Sequence, residues 1–172
     1  MKKIGYILFL LTIIGFSGKA QRYAVIDTKY ILGQMPEYKI AQQKLDETAA
    51  LWQKEVDGLQ AELDKMYRDY DAEQYLLSKQ LQKKREDEIF NKEKQVRDLQ
   101  KKRFGYEGDL FKERQKLVKP VQDKVYTAVQ RLATEKLLDF ILDKSEGITI
   151  IFADPKLDKS EEVLRMLGIV KP

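Results

Sequence analysis

Between Ala49 and Tyr70 an apolar residue recurs every three or four positions in strict alternation. Ala49, Trp52, Val56, Leu59, Leu63, Met66 and Tyr70 are spaced three, four, three, four, three, four. That period is the a/d seam of a coiled coil, held over three heptads on an otherwise charged helix. Leu45 and Ala41 extend it backwards at spacings of four, a local departure from the repeat. A second, noisier seam runs through Ile89, Val96, Leu99, Tyr106, Leu110 and Leu117, with Lys92, Arg103 and Glu113 at its intermediate positions. Gly105 and Gly108 weaken that half further, by up to about 1 kcal/mol each relative to alanine.

Two seams in one chain raise the question of whether the helix continues or doubles back. Pro36 and Pro120 bracket the heptad region, and residue 78 lies midway between them. Residues 37–78 carry 5 basic and 10 acidic side chains; residues 79–119 carry 14 basic and 8 acidic. An antiparallel hairpin folded near Ser78 lays the acidic arm on the basic one, and opposite charges flanking a seam favour that pairing. Ser78 suits the N-cap of the returning helix, with Lys79 as its first residue. Each arm would be ~60 Å long at the helical rise of ~1.5 Å per residue. The tip would then present Tyr75, Leu76 and Leu77 beside Lys79, Lys83, Lys84 and Arg85. Trp52 and Tyr70 lie on the seam and should pack; Tyr67 and Tyr75 should be exposed.

The flanks read differently. Arg22-Tyr23-Ala24-Val25-Ile26-Asp27 is a short apolar run that reads as a buried strand. Asp27 or Thr28 then caps a short helix that ends near Gly33. Pro36 suits the first turn of the next helix. After Pro120 a last helical stretch runs through Val121, Val125, Val129, Leu132, Leu137, Phe140 and Ile141 and stops before Gly147. Ile148-Thr149-Ile150-Ile151-Phe152 is β-branched and bounded by Gly147 and Asp154-Pro155, which predicts a second strand. Asp158-Lys159-Ser160-Glu161 has capping-box spacing ahead of a helix that Gly168 terminates. Two strands of this length cannot make a stable sheet alone, and their edges would stay open. Val25, Ile26, Ile150 and Ile151 are therefore expected to form the core of an oligomerisation body shared between copies of the chain.

The N-terminus has its own pattern. Lys2 and Lys3 precede a run of 13 mostly apolar residues, Ile4 to Phe16, and Gly18 and Ala20 form a small-x-small cleavage site. These are the elements of a secretory signal peptide, with Gln21 as the mature N-terminus. The run is too short for a membrane span, which needs about 20 apolar residues. The boundaries are thus 1–20 for the signal peptide, 21–36 with 120–172 for the β-containing body, and 37–119 for the helical arm. Lys2, Lys3 and Lys19 account for three of the chain's four net positive charges. A mature net charge of +1 is no argument for a nucleic-acid partner.

The chain of 172 residues contains neither cysteine nor histidine. Disulfides, thiol nucleophiles, imidazole bases and Cys/His metal sites are excluded, and no phosphate-binding glycine loop is present. No cofactor, metal or catalytic residue is expected. Acid pairs such as Glu37/Glu47 and Asp154/Asp158 read as solvated surface or helix caps, so an enzyme is not the reading.

The order of signal peptide, "YAVID", Pro36, a Gln/Glu/Lys-rich hairpin, "LVKPVQDKVYTAV" and "ITIIFADPKLDKSEEVLRMLGI" resembles the Skp/OmpH family of periplasmic chaperones across the whole mature chain. The resemblance implies a mainly α fold with a small β body. It also implies a jellyfish-like trimer with helical arms around a cavity. It implies an ATP-independent holdase in the periplasm of a Gram-negative bacterium, whose partners are unfolded outer-membrane β-barrel proteins. The family contributes no catalytic or ligand motif, so the client-binding candidates Tyr67, Tyr75, Leu76, Leu77, Lys79, Lys83, Lys84 and Arg85 rest on position alone. The basic tip also suits contact with a membrane surface or lipid. A structural or adaptor coiled coil of the envelope is the alternative that the heptads alone support.

Overall fold

The structure is a computed structural model, and it describes residues 21–145 and 150–169. The signal peptide read over residues 1–20 lies outside the described residues, as do Ile148 and Thr149. The chain divides into two compact units, Met1–Ile31 with Val125–Pro172, and Leu32–Lys124.

In the first unit, strand β1 (Tyr23–Ile26) leads into helix α1 (Thr28–Gln34). Asp27 caps α1: its Oδ1 accepts the Tyr30 N–H at 2.8 Å, satisfying one of the orphan donors of the first turn. Ala24, Val25 and Ile26 are all buried. Three successive buried residues mean that both faces of the strand are covered.

The partner of β1 is not the segment that the sequence singles out. It is β2 (Phe140–Asp143), paired in parallel in the register Tyr23↔Phe140 through Ile26↔Asp143. The Tyr23 and Phe140 rings stack with centroids 5.6 Å apart. The expected helix through Phe140 and Ile141 in fact ends at Lys136, the last residue of α5 (Lys119–Lys136). Leu137 takes a left-handed φ of 55°, and the Leu138 N–H reaches back to the Ala133 carbonyl at 2.9 Å. That is a Schellman-type stop, usually signalled by glycine. Here a leucine fills the position and keeps the apolar period going, so periodicity alone overruns the helix end.

The expected strand over 148–152 is corrected for its described part. Ile150 to Phe152 form no strand; Ile150 is half-buried, while Ile151 is 95% and Phe152 83% exposed. Instead, the other edge of β1 is met by Asp158 and Lys159: the Lys159 N–H donates to the Val25 carbonyl at 2.8 Å. Helix α6 (Ser160–Met166) follows and stops at Gly168, whose φ is +77°. Two carboxylates tie these pieces together. Asp143 accepts from the Thr28 hydroxyl and from the Thr28 and Ser145 N–H groups. Burial alone would raise its pKa, but these donors outweigh it and hold the carboxyl below its ordinary range. Asp158 is likewise held low against burial, by the Lys144 ammonium at 2.7 Å and by Ser160.

The second unit is helical. Helix α2 (Pro36–Glu73) starts with its proline in the first turn, where the missing N–H costs nothing. Helix α3 (Lys79–Phe104) returns antiparallel to it. Tyr70 meets Glu86, Glu62 meets Lys92 and Glu55 meets Arg103, so partners move back along α2 as α3 advances. Leu63, Ile89 and Val96 are buried together, with Leu59, Met66 and Tyr70 packed around them. Ala41, Leu45 and Val118 form a second cluster with Tyr38, Leu110 and Leu117.

The second seam is broken, not merely noisy. Helix α3 stops at Phe104, Glu107 has a φ of 54°, and α4 (Asp109–Leu117) starts afresh. Tyr106, which the spacing places on the seam, is 97% exposed. Gly105 is required there, since a Cβ would stand 2.3 Å from the Lys101 carbonyl oxygen. Past Val118, α5 carries Pro120 in its first turn, where it is tolerated.

Candidate functional site

The turn between α2 and α3 is built without glycine. Helix α2 ends at Glu73 and passes into a 3-10 turn, Gln74–Leu76. Leu77 and Ser78 are extended, and the Ser78 hydroxyl accepts the Leu81 N–H at 3.4 Å as the N-cap of α3. The Gln82 side-chain amide closes the turn by donating to the Gln74 carbonyl. A turn this tight leaves two of its large side chains facing water. Tyr75 is 88% and Leu76 87% exposed; large apolar groups so open to water favour any ligand that covers them.

The first two turns of α3 bring Lys79, Lys83, Lys84 and Arg85 beside them, all exposed. Arg85 pairs with Glu88 at 3.1 Å and Lys79 bonds Gln82 at 3.2 Å. Lys83 and Lys84 make no ion pair among the described residues. Leu77 differs from its neighbours in being half-buried, and it shares a small hollow with Met66, Tyr70 and Arg85.

Tyr67 does not join this set. It lies further back on α2, in a hollow of about 240 Å³ with Tyr70, Glu86, Ile89, Phe90 and Glu93. The Tyr67 hydroxyl donates to Glu93, and the Tyr70 hydroxyl donates to Glu86 at 2.5 Å. Glu93 also accepts from Arg97 at 3.3 Å. The bond to Glu93 raises the Tyr67 pKa, and Tyr70 is raised likewise by Glu86. The Tyr67 hydroxyl, followed by Arg97, lowers the pKa of Glu93. At neutral pH the site therefore holds protonated tyrosines and an ionised Glu93. Phe90 is 61% exposed, and the sequence reading does not include it. Its signal was an aromatic residue next to the seam position Ile89 in a stretch that is otherwise charged.

A family model described as outer membrane protein (OmpH-like) matches residues 22–167. The chain belongs to the OmpH-like family. Among solved structures, this OmpH-like chain is similar to a candidate outer membrane chaperone (OmpH-like) from Caulobacter crescentus CB15. The TM-score is 0.63 at 15% identity, over 90% of this chain and 89% of that one. At that identity the likeness shows the fold, mainly helical with a small sheet. No curated protein matches. No described helix is long and apolar enough to cross a membrane.

Proposed function

We propose that this OmpH-like chain is an ATP-independent periplasmic holdase that binds unfolded outer-membrane β-barrel proteins and prevents their aggregation. One observation carries the reading. The α2–α3 turn holds exposed Tyr75 and Leu76 next to exposed Lys79, Lys83, Lys84 and Arg85, a surface suited to many weak contacts rather than one fitted partner. Family membership and the chaperone description of the Caulobacter neighbour support it.

In this proposal residues 37–119 form a hairpin arm projecting from a body built by 21–36 and 120–172. Copies assemble as a trimer through that body, with Val25, Ile26, Ile150 and Ile151 among its residues. The chain is exported by cleavage before Gln21 and catalyses no reaction. Exposure of Ile151 in the single chain is consistent with a covering partner copy. Lys83 and Lys84 attract acidic client segments or lipid headgroups, an attraction that salt weakens.

The test is dilution of a urea-unfolded outer-membrane β-barrel protein with and without the chain from Gln21, followed by light scattering. Suppression saturating at one trimer per client is the expected result. No suppression from a chain shown to be assembled would sink the holdase and leave an envelope adaptor. Suppression should weaken in Lys83→Ala/Lys84→Ala and at high salt.

A further inference from the structure

The hollow beside Tyr67 has the makings of a cation site, and the molecule contains its own precedent. At the far end of α3 the Arg103 guanidinium lies over the Trp52 ring at 4.9 Å and pairs with two carboxylates, Glu55 at 2.9 Å and Asp109 at 2.7 Å. The ingredients are an aromatic face and two acids, and the cation comes from the chain itself.

Nearer the turn the same ingredients recur: Tyr67, Tyr70 and Phe90 with Glu86 and Glu93, around about 240 Å³. Here, among the described residues, the one ion pair to these acids is from Arg97, at 3.3 Å from Glu93 and itself largely exposed. Glu86 has no ion pair among the described residues; it accepts a hydrogen bond from the Tyr70 hydroxyl. A carboxylate accepting one O–H keeps most of its acceptor sites and its whole charge. The exposed Phe90 ring and the partly exposed Tyr67 ring offer π-faces that attract a cation.

We propose that the hollow formed by Tyr67, Tyr70, Phe90, Glu86 and Glu93 binds the Lys or Arg side chain of an unfolded client segment. This rests on the client-binding reading above and adds a charge preference opposite to that of the basic turn. An extended client would place acidic positions near Lys83 and Lys84 and a basic position between the rings and Glu86. Clients carrying both signs would then be held at two points on one helix pair.

The experiment uses two labelled, extended, apolar peptides that differ only at one central position, arginine or citrulline. Citrulline keeps the shape and removes the charge. Binding to the chain from Gln21 is read by fluorescence anisotropy. The arginine peptide should bind about five-fold tighter, the scale of one exposed cation–π contact with one solvated ion pair. Glu86→Gln/Glu93→Gln should abolish that preference. Glu62→Gln removes a charge from the same helix pair outside the hollow and should preserve it. Equal affinity for the two peptides, no binding of the arginine peptide, or a preference surviving the double substitution would each overturn the proposal. Light scattering on the same preparations reads the holdase separately. Suppression without an arginine preference removes the cation site alone; a preference without suppression removes the holdase alone.

Discussion

Two stretches of the α2–α3 pair are closed in different ways. Around Leu63, Ile89 and Val96 the helices meet through buried apolar side chains, with Leu59, Met66 and Tyr70 around them. Around Trp52 and Glu55 the second seam has run out. There Val56 is still buried, and one guanidinium adds a directional tie that stacks on Trp52 and forks to Glu55 and Asp109. The difference lies in what each stretch must satisfy. An unbroken helix bonds its own backbone and needs only an apolar stripe covered. A helix that stops at Phe104 and restarts at Asp109 has free ends and two glycines, and its geometry needs a directional tie. Arginine supplies one because its planar donors match carboxylates in fixed directions.

The largest effect should come from the apolar stretch. Leu63→Ala empties a position that is 5% exposed and should cost about 3 kcal/mol in urea unfolding. A cost under about 1 kcal/mol would mean that the seam is not what holds this stretch. Gly105→Ala attacks the broken stretch through its backbone and should cost about 2 kcal/mol, because the added Cβ meets the Lys101 carbonyl. If the variant is neutral, the break re-forms as helix and the contrast between the stretches disappears.

Arg103→Lys keeps the charge but loses the fork and the flat stacking surface, and should cost less in the urea midpoint than Gly105→Ala. Its cost should shrink as salt rises, whereas that of Leu63→Ala should not. Equal salt response in the two variants would contradict the assignment of one stretch to electrostatics.

The smallest effect is pH dependence at the Tyr67–Glu93 bond. The folded pKa of Glu93 is depressed, so its contribution is present above the unfolded value and fades as pH falls below about 4. Tyr67 is raised, so its contribution is complete below about pH 10 and fades as pH climbs through the folded value. Urea midpoints at neutral and acid pH should show Glu93→Gln losing less on acidification than the parent. An equal loss would locate the acid sensitivity elsewhere.

Legibility followed the same contrast. The first seam could be read because burial at Val56 and Leu63 repeats with the helix, and all seven of its positions are buried or half-buried. The capping role of Ser78 could be read because a hydroxyl before a charged helix has one common use. Of the candidate site, the exposed turn with Tyr75, Leu76 and its lysines follows from where that helix stops. The grouping of Tyr67 with Phe90 and Glu93 does not, since it depends on how α3 is rotated and shifted against α2. No local propensity encodes that register.

From the sequence by itself came the helical stripes, the charge split between them, the exclusion of cysteine and histidine chemistry, and the first strand. These are local or compositional properties, and a residue's spacing to its neighbours is enough to set them. The tertiary structure alone decided that β1 pairs with Phe140–Asp143, that Tyr106 leaves the seam, and that Arg103 closes the break. Each depends on atoms distant in sequence: Asp139 donating to the Arg22 carbonyl at 2.7 Å, or Glu55 waiting opposite Arg103. A pairing between distant residues exists only after the chain has brought them together.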